Sequence, residues 1–258
     1  MKTLKIIKIG GNIIDTEAVL SSFLKDFATI EGPKILVHGG GKLATSLAQQ
    51  LNVDVTMIEG RRITNAETLD IITMVYAGKI NKNIVAKLQA HGCNAVGFTG
   101  ADGNTIRSEI RPVIPIDYGF AGDVVKVETA LLELLLNNKN TPVFSAITHD
   151  GKGQLLNTNA DTIASEVAIA FASTYVTELY YCFEKQGVLR DVTDADSVIE
   201  TITSMTYQEL KNSGVIVAGM LPKLDNCFYA LQNKVAKVCI GTPEMLFTTE
   251  TKHTTLQK

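Results

Sequence analysis

Two junctions of the same kind, apolar strand, then glycines, then helix, fall within residues 4–42 and narrow the folds open to this chain. The second reads Lys34-Ile35-Leu36-Val37-His38-Gly39-Gly40-Gly41-Lys42, with a helical pattern starting at Lys42. Three residues without a Cβ let the backbone approach a ligand and offer bare N–H groups. At a helix N-terminus such groups favour anions. The first junction runs from Leu4 to Ile9, then Gly10-Gly11, with a helix expected from about Thr16. Together they point to a site for an anionic ligand.

Strand and helix patterns alternate along the chain, which predicts an α/β fold with a mostly parallel sheet covered on both faces. Val19, Leu20, Phe23, Leu24 and Phe27 form one helix face, and Leu43, Leu47 and Leu51 mark the next helix. A hairpin is expected around Glu59-Gly60, and a capping box from Thr64 to Glu67 opens a long helix ending near Gly92. Thr99 to Asp123, rich in Gly and Pro, reads as surface hairpins. Asn159 caps a helix carrying Ile163, Val167 and Phe171. A second lobe is expected from near Ser173, dividing the chain into 1–173 and 174–258. Its parts are a strand at Tyr175–Cys182, a capping box from Thr206 to Glu209, a helix with Pro222 in its first turn, and a last strand at Ala236–Ile240. Thr248 to Lys258 reads as a frayed polar tail.

Composition excludes several function classes. A net charge of −3 argues against nucleic acid as a partner. No apolar stretch has the length of a membrane span, and a strand begun by Leu4 leaves no room for a signal peptide. Cys93, Cys182, Cys227 and Cys239 are scattered, without CxxC or Cys/His clustering, so reduced core cysteines of a cytoplasmic protein and no metal site are expected.

Chemistry is suggested at a few positions. Lys8 ends an apolar strand beside a glycine turn, where it either neutralises a transferring phosphoryl group or is a surface lysine of an edge strand. Lys223 stands in the first turn of a helix, where the dipole disfavours a cation; that marks either function or a solvated lysine. Asn157, Asn159 and Asp161 cluster at the mouth of one helix, and capping accounts for only part of the set. Asp161 could hold two ammonium groups. Arg61-Arg62 is either a solvated edge or a carboxylate clamp. His38 is expected to bond locally. Neither GxxxxGK[ST] nor GxGxxG occurs.

The set Lys8-Ile9-Gly10-Gly11, His38-Gly39-Gly40-Gly41, Gly60-Arg61-Arg62-Ile63-Thr64, Tyr118-Gly119-Phe120-Ala121-Gly122-Asp123, Asn157-Thr158-Asn159-Ala160-Asp161 and Gly219-Met220-Leu221-Pro222-Lys223 resembles the amino-acid kinase family in order and spacing, and within it the acetylglutamate kinase branch. The resemblance implies a three-layer αβα sandwich with a mainly parallel, eight-stranded sheet. It implies ATP-dependent phosphorylation of the γ-carboxylate of N-acetyl-L-glutamate, or of another N-acylglutamate such as N-succinylglutamate, in arginine biosynthesis. Another enzyme of this fold, or a non-catalytic ligand sensor, is the alternative. Lobe 1–173 would hold the acyl-amino acid and lobe 174–258 the ATP. Lys8 and Lys223 would stabilise the transferring phosphoryl group and Asp161 would orient both. Gly40, Gly41, Arg62 and Asn157 would bind substrate. Gly10, Gly11, Glu184, Gly187, Val215 and Val217 would bind ATP, with Mg²⁺ carried by the nucleotide. Glu184 stands where the family usually has an aspartate. Arginine-inhibited members carry an extra N-terminal helix that builds a hexamer. Only seven residues precede Lys8, and Leu69, Ile72, Met74, Val75, Tyr76 and Ile80 exceed one buried face. A homodimer insensitive to arginine is therefore expected.

Overall fold

The structure is a computed structural model that describes residues 1–58, 60–216, 220–248 and 250–258. The first glycine junction produces β1 (Thr3–Ile9), a short α1 (Gly11–Asp15) and α2 (Glu17–Thr29); the second produces β2 (Lys34–His38) and α3 (Gly41–Gln50). The hairpin β3 (Met57–Ile58) and β4 (Arg61–Arg62) leads into α4 (Ala66–Thr73), a π-helical segment (Met74–Ile80) and α5 (Asn81–Ala90). Next come β5 (Ala95–Phe98), β6 (Ile106–Ile110), β7 (Ala121–Val127), α6 (Ala130–Asn137), β8 (Thr141–Ser145), β9 (Ile147–His149), β10 (Leu155–Thr158) and α7 (Ala160–Phe171). The chain finishes through β11 (Val176–Cys182), β12 (Thr201–Thr203), α8 (Ser204–Asn212), α9 (Leu221–Gln232), β13 (Lys237–Gly241) and β14 (Thr254–Gln257).

Eight strands form the central sheet in the order β12-β14-β13-β11-β1-β2-β8-β5, parallel except where β13 meets β14. Ile6 and Ile7 point to opposite faces of β1 and both are fully buried, so helices cover both sides. This is the expected αβα sandwich. Helix α7 lies on β1, β2 and β11 and packs against α9, while α2 packs against α5. Strands before residue 173 build one half of the sheet and strands after it the other, joined where β1 pairs with β11. The Gly- and Pro-rich stretch contributes β6 and β7 to a small closed barrel with β9 and β10, more than surface hairpins.

Several local expectations are corrected. Val19 is 45% exposed and Leu51 53% exposed; α3 buries Ala44 and Ala48 instead. The long helix is capped by Asn65, whose side chain accepts from the Thr68 N–H, and not by Thr64. Thr64 Oγ1 donates to the Arg62 carbonyl, which fixes it before the helix begins. The later capping box is closed by Thr203 and Thr206, so the helix starts at Ser204. The tail is no frayed end. Its residues Thr254–Gln257 insert as β14 between β13 and β12, and Leu256 joins the core. Thr254 Oγ1 accepts from the Val188 N–H at 2.8 Å and donates to the Ile199 carbonyl at 2.7 Å, which fastens the strand.

The long helix also accounts for its own apolar surplus. Leu69, Ile72, Val75, Tyr76 and Ile80 are all buried within this chain; Met74 stays 55% exposed. The i→i+5 bonding of the π-helical segment widens the turn, and such segments recur at functional sites. Here it presses Ile80 and Tyr76 onto Gly40. A Cβ on Gly40 would lie 2.2 Å from Ile80 Cδ1 and 3.0 Å from Tyr76 Cδ1, so any side chain there would have to push both away.

Candidate active site

Lys8 leaves the end of β1 toward α7. Asn159 caps that helix, accepting the Asp161 N–H at 2.7 Å. Asp161 thereby sits in the first turn, where the helix dipole favours a carboxylate. Its two oxygens are divided between two lysines. Lys8 Nζ lies 2.7 Å from Oδ1, and Lys223 Nζ lies 2.5 Å from Oδ2. Lys223 reaches Asp161 from the first turn of α9, opposite its local dipole preference, because the carboxylate offsets that cost.

The electrostatics follow from two ammonium groups sharing one carboxylate. Burial would raise the Asp161 pKa, but the charges of Lys223 and Lys8, with their hydrogen bonds, outweigh it and hold the carboxyl well below the usual carboxylate range. Burial, and next to it the repulsion of Lys223, lowers the Lys8 pKa against the pull of Asp161. The cluster keeps one net positive charge in a largely buried place, which suits an incoming anion.

The second glycine junction faces the same place. Gly39, Gly40 and Gly41 line a hollow of about 230 Å³ together with Lys8, Arg62, Asn157 and Asp161. Arg62 is buried, and its guanidinium donates to the Gly41 carbonyl at 3.0 Å and to Thr45 Oγ1 at 2.8 Å. Asn157 Nδ2 donates to Thr64 Oγ1 at 3.0 Å. These bonds fix the side chains before any ligand arrives. His38 stays local, as expected. Its Nδ1 is 2.8 Å from the Gly39 carbonyl and its Nε2 is 3.1 Å from Asn81 Nδ2, an arrangement for the neutral ring. Burial pulls its pKa down to about 4.

The residues expected on the nucleotide side are only partly brought together. Gly187 and Val215 line an apolar hollow of about 190 Å³ with Val188, Leu189, Ile216 and Met220. Glu184 does not join them; it borders a separate hollow of about 540 Å³ beside Asn12, Asp26 and Glu244. Phe183 borders both hollows, whereas Gly187 lines only the first and Glu184 only the second. Gly187 has a packing reason of its own, since a Cβ there would meet Thr254 Oγ1 at 2.6 Å. The Gly10 N–H is already given to the Cys182 carbonyl at 3.0 Å, so it is not free to donate to phosphate; Gly11 opens α1. Val217, and Gly219 of the lysine motif, lie outside the described residues.

Sequence reasoning missed several groups at the site. Arg111 and Asp123, ion-paired across the β6–β7 hairpin, line the hollow, as does Tyr76. Tyr181 lies beneath Lys223. Asp123 stands inside one of the motifs, which was the available signal; Arg111 fell in the stretch read as surface hairpins, and Tyr76 and Tyr181 read as ordinary helix and strand residues. Another hollow, of about 950 Å³, opens at the other end of the strands among Lys2, Lys5 and Lys34, and none of the expected site residues lines it. Lys34 there is fully engaged, donating to the Phe27, Ala28 and Ile30 carbonyls at 2.7–3.0 Å.

The family model described as the amino acid kinase family matches residues 3–242. An acetylglutamate kinase from Cytophaga hutchinsonii is 57% identical over 95% of this chain and 94% of its own length. One from Phocaeicola vulgatus is 56% identical over 92% of each. A solved structure from Streptococcus mutans UA159 is 26% identical, with a TM-score of 0.80 over 98% of both chains. No helix among the described residues is long and apolar enough to cross a membrane.

Proposed function

We propose that this chain, which belongs to the amino acid kinase family, transfers the γ-phosphoryl group of ATP to the γ-carboxylate of N-acetyl-L-glutamate, a step of arginine biosynthesis. The observation that carries the reading is Asp161 holding Lys8 and Lys223 side by side at the mouth of the Arg62 hollow. A γ-carboxylate oxygen attacks the γ-phosphorus, the bond to the bridging oxygen breaks, and ADP leaves with that electron pair. No covalent link to the protein is needed. Charge spreads over the phosphoryl oxygens in the transition state, and two fixed ammonium groups meet it there. Asp161 keeps both in place.

The acyl-amino acid belongs to the 1–173 half. Arg62 takes its α-carboxylate, Asn157 and the N–H groups of Gly40 and Gly41 its other polar atoms. ATP belongs to the 174–258 half, with its base toward the Gly187–Val215 hollow and its phosphates toward Gly11. Both Asp161 oxygens are occupied by lysines, so Mg²⁺ comes held by the ATP phosphates rather than by a protein carboxylate. A cytoplasmic homodimer completes the proposal. Its structural support is Met74, the member of the long helix's apolar set that stays exposed; a monomer in light scattering would remove it.

The test is ATP-dependent hydroxamate formation with glutamate, N-acetylglutamate and N-succinylglutamate as acceptors. Hydroxamate from an N-acylated acceptor but not from free glutamate is the expected result, and the comparison identifies the acyl group. Tight ligand binding without transfer would make the chain a sensor.

A further inference from the structure

We propose that Tyr181 is a positioning residue for phosphoryl transfer, its ring face fixing the Lys223 ammonium and its hydroxyl fixing the turn of helix that carries Asp161. This rests on the transfer reading above. Tyr181 stands on β11 in direct register with Lys8 on β1, and the strands are parallel, so both side chains leave the same face of the sheet toward α7. It is 1% exposed. Its hydroxyl donates to the Asp161 carbonyl at 3.0 Å and lies 2.9 Å from Ser165 Oγ. Ser165 Oγ donates to the same carbonyl at 2.8 Å, so one side chain ties Asp161 to the next turn of α7 and to the sheet.

The ring supplies what the carboxylate cannot. Lys223 Nζ sits 4.8 Å from the ring centroid. Two ammonium groups compete for Asp161 and repel each other. A second, neutral acceptor of positive charge lets Lys223 stay in position without adding a negative group that would repel the phosphates. The face of a desolvated aromatic ring is such an acceptor. Burial, with smaller contributions from Cys227 and Asp161, pushes the phenol far above its usual pKa, so the ring remains uncharged. A residue that merely fills the core needs neither the register with Lys8 nor the contact with Lys223.

Ring electrons can be varied at nearly constant shape. Tyr181→Phe is followed by phenylalanines carrying one, two and three ring fluorines at position 181, in the full-length protein. The expected result is a stepwise fall in kcat of about tenfold across the series, with KM for both substrates and the melting temperature unchanged. Tyr181→Leu should lose more, and Tyr181→Phe should restore most of that loss. A flat fluorine series, or activity that only follows the melting temperature, overturns the proposal. A second readout does not use turnover. The Lys223 ε-methylene protons, assigned by their absence in Lys223→Arg, should be shifted upfield by the ring in the wild-type protein and should return in Tyr181→Leu. No upfield shift overturns the platform. A normal shift in a chain that transfers no phosphoryl group supports the placement and refutes the activity instead.

Discussion

The two halves of the central sheet end in opposite chemistry. Where β1 and β2 stop, the chain collects Lys8, Arg62, Asn157 and Asp161 and binds each with named hydrogen bonds or ion pairs. Beyond β11, it lines a hollow with Val188, Leu189, Val215 and Ile216. Lys223 belongs to the second half by sequence but reaches across to the first. Directional bonds hold geometry to fractions of an ångström, whereas apolar burial tolerates shape change at modest cost. Changes in the first half should therefore act sharply on turnover and acceptor binding, and changes in the second mildly on nucleotide affinity.

The hardest test of that contrast is the lysine pair. Lys8→Ala and Lys223→Ala should each lower kcat by about 10²–10⁴-fold, with the fold retained because Asp161 keeps one partner. Near-normal turnover in either variant breaks the comparison at its centre. Asp161→Ala should in addition destabilise the protein by up to roughly 3–5 kcal/mol in chemical denaturation, since two largely buried cations lose their counter-charge.

Acid sensitivity should belong to the first half. His38 is held neutral with a pKa of about 4, against an unfolded value near 6.5. Its contribution is complete above pH 6.5 and is lost as pH falls toward 4, because the unfolded chain binds the proton first. Between pH 7 and 5 this should cost roughly 2 kcal/mol of stability. His38→Gln should flatten that slope in urea titrations; an unchanged slope would assign the acid response elsewhere.

Smaller effects sharpen the division. Arg62→Lys should raise KM for the acyl-amino acid by about tenfold or more, since a lysine cannot reproduce the fork that also serves Gly41 and Thr45. KM for ATP should stay within about threefold. An effect confined to ATP would move Arg62 out of the acceptor site. Val215→Ala should do the reverse, raising KM for ATP by about threefold to tenfold and leaving the acceptor unaffected.

Much of this division was legible in the residues. The glycine runs, the apolar strands before them, the Asn159 cap and Pro222 in the first turn of α9 all stand as expected. The errors cluster where two local choices were nearly equal. Thr64 and Asn65 can both cap α4, and Thr203 and Thr206 can both open α8; the docked position of the helix selects one. Leu51 and Val19 satisfied helical spacing yet face outward, because the sheet accepts only part of each stripe. Four residues of the tail carry too little pattern to announce a strand, and β14 exists through its pairing with β13 and β12.

The sequence by itself determined the alternation of strands and helices up to β13 and which residue types stand at the strand ends. Those depend on side-chain period, backbone freedom at glycine and capping, which act over a few residues. Only the tertiary structure decided that Asp161 divides its oxygens between Lys8 and Lys223, that Ile80 closes on Gly40, that Glu184 and Gly187 line different hollows, and that Tyr181 lies under an ammonium group. Such contacts join segments far apart in the chain. They are set by how α7 and α9 pack on β1, β11 and each other, and no local spacing encodes that distance.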